Sequence, residues 1–118
     1  MKAKLRNIHS PDIFDLQGFV PKEENDFGLL LQLIVSALDS DGEESFDIML
    51  CTPKWLTRNH KKTDIIFGRH YLIVFEYNYR KIYDKLKVSV ESIEVETWDE
   101  IGLKIGRIGK WEFEDYHP

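Results

Sequence analysis

The stretch FGLLLQLIVSALDSDGEESFDIMLC, residues 27–51, decides the fold. Leu29, Leu31, Leu33 and Val35 recur at every second position, which places them on one face of a pleated strand. Leu30, Ile34 and Ser36 form a less regular second face, and two apolar faces are expected of a central strand. Asp39-Ser40-Asp41-Gly42 has the composition of a turn. Phe46, Ile48 and Leu50 then share a side of a returning strand, so residues 27–51 read as a long antiparallel hairpin. Cys51 ends that hairpin and points away from Leu50. Thr52-Pro53 breaks the pleat: Pro53 fixes φ and opens a short helix through Trp55 and Leu56, with Thr52 as its cap.

Outward from the hairpin, residues 2–8 set Ala3, Leu5 and Asn7 against Lys2, Lys4 and Arg6, a strand with one solvated face. Residues 9–26 carry two prolines and one glycine between the apolar anchors Ile13, Phe14, Leu16, Phe19 and Val20, a structured excursion with a helical turn after Ser10. Ile65, Ile66, Phe67 and the run HYLIVFEY predict one or two further strands, with either face available for burial. Asn78 caps a helix over about residues 79–92, in which Tyr79, Ile82, Tyr83, Leu86 and Val90 fall at spacings of three and four. Thr97-Trp98-Asp99-Glu100 matches a capping box, and Trp98, Ile101, Ile105 and Ile108 continue a helical stripe to Gly109. Residues 111–116 alternate aromatic and acidic, as in a short final strand. The expected architecture is α+β over a single domain, residues 1–118: an antiparallel sheet of about four to six strands packed by two main helices.

The composition sets bounds on function. With 118 residues, 42% hydrophobic and 31% charged, the chain has the balance of a folded domain with one core. No apolar run reaches the length of a signal peptide or membrane span, and a single cysteine makes no internal disulfide, so the cytosol is the expected compartment. The net charge of −5 is uneven. Residues 11–50 hold ten acids against Lys22 alone, whereas residues 51–118 hold eleven acids against twelve bases. Such an acidic field repels nucleic-acid phosphates and steers a basic partner.

Residues with catalytic potential do not assemble into a motif. Cys51 with His60 or His70 supplies the residue types of a thiol nucleophile and its base, the rival reading of the chain as a cytosolic enzyme. His9, His60, His70 and His117 show no metal-binding spacing, and no cofactor is implied. Asp12 with Asp15, and Glu112 with Glu114, read as surface acids, not as an acid–base pair. Gly106-Arg107-Ile108-Gly109 lacks the spacing and position of a phosphate loop. Lys54, Arg58, Lys61 and Lys62 form a small basic patch near Trp55, too slight beside the acidic half to indicate nucleic acid. Interaction with another protein is left in front.

LRNIHSPDIFDLQGFVP, FGLLLQ, GEESFDIMLCTPKWL, FGRHYLIV, ETWDEIG and GRIGKWEFEDY, in that order along nearly the whole chain, resemble the bacterial immunity proteins known as immunity protein 8. The resemblance implies a non-enzymatic antitoxin, encoded beside a polymorphic or contact-dependent toxin, that binds the toxin domain. It places Cys51, Pro53, Trp55 and Arg69 in recurring motifs without catalytic duties. These residues, with Trp98 and Trp111, are expected to serve the fold, Trp55 and Leu56 by covering the sheet edge and Arg69 by pairing with Glu114 or Asp115. The expected toxin contacts are Asp39, Asp41, Glu43 and Glu44, joined by Asp12 and Asp15. A nuclease would supply the basic surface they fit. The remaining alternative is an interaction scaffold with no toxin partner.

Overall fold

A computed structural model describes residues 1–113. The hairpin forms as its alternation requires. Strand β2 (Gly28–Ala37) runs antiparallel to β3 (Glu44–Cys51), with Leu29 opposite Leu50, Leu31 opposite Ile48 and Leu33 opposite Phe46. All six side chains are buried, together with Val35. Each contributes roughly 1.5–3 kcal/mol of transfer free energy before conformational entropy is charged against it.

Strand β1 (Ala3–His9) lines the other side of β2, antiparallel to it, with a bulge between Leu5 and Asn7. The bulge resets the period-two alternation, because one extra residue sits on one strand. Leu5 pairs with Val35 and Ile8 with Leu33, so Ile8 enters the core where the uninterrupted pattern had Asn7.

After β3 the chain turns through helix α1 (Pro53–Asn59) and an exposed segment, then returns as β4 (Tyr71–Ile73). β4 is parallel to β3, with Leu50 opposite Leu72. Helices α2 (Tyr79–Glu91) and α3 (Trp98–Ile105) follow, and β5 (Lys110–Trp111) pairs antiparallel with the start of β3 at Phe46 and Asp47. The order is β1-β2-β3-β4, with β5 sharing β3's outer side with β4.

The α+β class stands, with two corrections. The five-stranded sheet is mixed, not antiparallel, because the α1 crossover brings the chain back in the direction of β3. Three helices accompany it instead of two, α1 being the third. Of the expected strand signals, Ile65–Phe67 stays irregular and exposed. The helix predicted to run to Gly109 stops at Ile105, capped by Gly106. The expected final strand reaches only Trp111, and its positions 114–116 lie outside the described residues.

α2 and α3 cover one face of the sheet. Ile82, Leu86 and Val90 from α2, and Ile101 and Ile105 from α3, join the same core as the alternating leucines of β2. Phe19, Phe27 and Tyr77 meet edge-to-face at the lower end, where the Tyr77 hydroxyl donates to the Leu16 carbonyl and fastens the 9–26 excursion. The opposite face, with Gln32, Ile34, Asp47 and Met49, is half-buried.

Candidate binding surface

The turn joining β2 to β3 carries three exposed acids among the expected contacts, Asp39, Asp41 and Glu43. Arg6, the residue displaced by the β1 bulge, donates from Nε to Ser36 Oγ at 2.6 Å and from Nη2 to the carbonyls of Leu38 at 3.1 Å and Ser40 at 3.4 Å. This guanidinium holds the turn, and Gly42 N donates to Ser40 Oγ at 3.1 Å. Asp39, Asp41 and Glu43 project into solvent around a shallow recess lined by Arg6, Ser40, Asp41 and Glu43.

Glu44 is different. Its carboxylate accepts from Trp98 Nε1 at 2.8 Å and from Trp111 Nε1, tying α3 and β5 to the first residue of β3. Trp111 also stacks on Phe46 with ring centroids 6.3 Å apart. Gly102 makes room for that indole: a Cβ there would lie 3.2 Å from the Trp111 ring. Glu44 is therefore an internal clamp on two tryptophans.

Asp12 and Asp15 do not join the turn. Asp12 Oδ2 accepts from Leu30 N at 2.9 Å, near the start of β2, and Asp15 Oδ1 accepts from Gly18 N at 3.1 Å. From Leu30 to Ala37 a strand rises roughly 20 Å, so these acids stand near the opposite end of the sheet. Glu23 and Asp26 are matched by bases from the predicted basic patch: Lys54 lies 3.6 Å from Glu23, and Arg58 grips Asp26 with contacts of 3.0–3.3 Å. The Asp26 carboxylate raises the Arg58 guanidinium pKa further. The turn residues 39, 41 and 43 form an exposed acidic group at the tip of the hairpin.

The 51–56 corner serves the sheet. Thr52 Oγ1 accepts from Phe27 N at 3.1 Å and from Trp55 N at 3.3 Å, capping α1 while fixing the entry to β2. Pro53 opens the helix. Trp55 packs on Gly28 at the start of β2, where an added Cβ would come within 2.3 Å of the indole.

Cys51 is fully buried, and burial pushes its thiol up to about 11. A neutral, enclosed thiol is a poor nucleophile. His60 and His70 each engage a main-chain carbonyl through a ring nitrogen, Leu56 O at 2.9 Å and Gly106 O at 2.7 Å. Arg69 Nη2 donates to the same Gly106 carbonyl at 2.8 Å, and its expected partners Glu114 and Asp115 fall outside the described residues. His70 adopts φ 71°, a left-handed conformation uncommon for a side-chain-bearing residue, at the tight entry to β4. Among the described residues no group of three or more His, Cys, Asp or Glu is placed to hold a metal ion. No described helix is long and apolar enough to cross a membrane.

A second surface escaped the sequence reading. Ile65 is 98% exposed, Phe67 94% and Phe75 77%. The run HYLIVFEY left either face open to burial. Leu72 and Val74 turn toward the core, whereas Ile73 and Phe75 stay in solvent. An apolar alternation alone does not distinguish a buried strand from one held for a partner.

A family model described as Immunity protein 8 matches residues 3–116. No curated protein and no solved structure matches the chain.

Proposed function

The chain belongs to the immunity protein 8 family, and on that premise we propose that it is a bacterial antitoxin that binds a cognate toxin domain in the cytoplasm and neutralises it by non-covalent occlusion. The family match across residues 3–116 carries this reading. A buried Cys51 thiol pushed up to about 11 supports this reading over a thiol enzyme.

The toxin-facing charge in this reading is the turn bearing Asp39, Asp41 and Glu43, which steers a basic toxin surface such as that of a nuclease. Glu44 supports the turn from within, through its tryptophan contacts. Asp12, whose carboxylate accepts from Leu30 N near the start of β2, and Asp15 are kept apart from the turn in this reading, as a separate acidic contact. Rim charges of this kind mainly set the rate of capture, while buried apolar anchors set the lifetime of a complex. The test is co-expression with the toxin encoded beside the gene. Growth rescue by the wild-type protein is expected, and failure to rescue despite soluble expression of both would overturn the assignment.

A further inference from the structure

The two edges of the sheet are finished differently. Along β1 the outward backbone groups are taken up by the end of α2 and the segment after it. Ala3 N donates to Ile93 O at 3.2 Å, Leu5 N to Glu91 Oε2 at 3.1 Å, and the N-terminal ammonium to Val95 O at 2.7 Å. A bridge between Lys2 and Glu94 completes the cover. At the other edge, β4 is held to β3 through Met49 N to His70 O and Val74 N to Cys51 O, each at 2.9 Å. Alternation along a parallel strand then turns the N–H and C=O of Ile73 away from β3. β5 meets β3 at Phe46 and Asp47, beyond the end of β4, and so does not cover that edge.

Beside Ile73 runs an apolar groove of about 460 Å³, between residues 72–76 and one side of α2. Its lips are Ile73, 46% exposed, and Phe75, 77% exposed, and its floor includes Ile82. Lys81 and Lys85 stand along the helical wall with Glu76 opposite. Neither lysine has an ion-pair partner among the described residues, although the neighbouring Arg80 pairs with Asp84 and Lys87 with Glu91. The groove thus combines a strand edge that no described residue pairs with, solvent-facing apolar side chains and two lysines against one acid.

We propose that this groove, with the outward edge of β4, is the anchoring site for an extended segment of the toxin that carries apolar side chains and at least one acidic residue. The segment hydrogen-bonds Ile73 as an added strand, lays its apolar side chains against Phe75 and Ile82, and presents its acid to Lys81 and Lys85. A second copy of this chain is disfavoured, because a two-fold contact through the groove would bring the same lysines together. The proposal rests on the antitoxin reading and assigns it a second contact, opposite in charge to the acidic turn.

The test uses the full chain and its toxin. Dissociation kinetics are measured for the wild type, Phe75→Glu and the double variant Lys81→Glu with Lys85→Glu, and amide exchange at Ile73 is followed with and without toxin. The surface positions keep the variants folded, which a thermal melt verifies. Expected are slower exchange at Ile73 in the complex and dissociation at least about tenfold faster in each variant. Tight wild-type binding with unchanged exchange at Ile73 and unchanged dissociation overturns the groove and leaves the antitoxin reading intact. Absence of wild-type binding overturns both. Protection of Ile73 in a toxin-free dimer assigns the groove to self-association and overturns the proposal.

Discussion

Glu44 and Cys51 show how far a residue's role depends on what folds around it. In the sequence Glu44 is the last of a run of turn acids, and nothing in its neighbours distinguishes it from Glu43. The indoles that claim it arrive from residues 98 and 111, over 50 positions away, and no local pattern encodes that meeting. Hydrogen bonds to a charged acceptor are worth about 1.5–3 kcal/mol each. Glu44→Ala is therefore expected to destabilise the fold by about 2 kcal/mol or more and to change tryptophan fluorescence, whereas Glu43→Ala leaves both near wild type. Equal effects of the two substitutions would remove the clamp. The sequence placed Cys51 at the end of a strand before the Thr52-Pro53 corner but left its exposure open; the packing around it buries it fully. With its pKa at about 11, the native thiol is expected to resist alkylation at pH 8, where only about one part in a thousand is thiolate, and to label fully once denatured. Rapid native labelling would revive the enzyme reading.

At the scale of elements, the hairpin of residues 27–51 and the capped helix α2 were readable because each rests on a local period that burial enforces. What local period does not encode is how a strand is interrupted or where it pairs. The β1 bulge moved Ile8 inward, and the direction of β4 followed from the α1 crossover, not from its four-residue neighbourhood. The corner at Thr52 links these elements: one buried hydroxyl caps α1 and receives the Phe27 amide ahead of β2. Thr52→Val keeps the shape but leaves two donors without this acceptor. It is expected to cost about 2–3 kcal/mol in denaturant unfolding, and a loss below about 0.5 kcal/mol would show that the corner is held by Trp55 packing alone.

For the whole molecule, pH dependence follows from which groups shift. Cys51 at about 11 and Tyr77 at about 12 are both raised by burial, Tyr77 also by nearby Tyr79 and Asp15. The native state keeps these protons longer than the unfolded chain, so their contributions are present below about pH 9 and lost as pH rises through 9–12. Glu91 shifts the other way: burial alone would raise it, but Lys87, the Leu5 amide and Lys4 outweigh burial and hold its carboxyl below the ordinary range. Its contribution is present above the ordinary carboxylate pKa and lost on acidification. Unfolding free energy is expected to be highest between these limits, and a profile still rising above pH 10 would contradict the alkaline assignment.

In the proposed reading, the acidic 39–43 turn and the basic side of the β4 groove are two contacts of unlike charge for one toxin. Reversing Asp39, Asp41 and Glu43 to Lys together is expected to slow toxin association about tenfold at low salt, with the difference shrinking as salt is raised. An unaffected rate would displace the acidic contact from the turn. The decisive measurement is a calorimetric titration of the full chain into the purified toxin domain encoded beside its gene. One-to-one binding that abolishes the toxin's activity at stoichiometric addition is the expected result, and an active toxin that shows no heat of binding at saturating concentrations would contradict the antitoxin assignment.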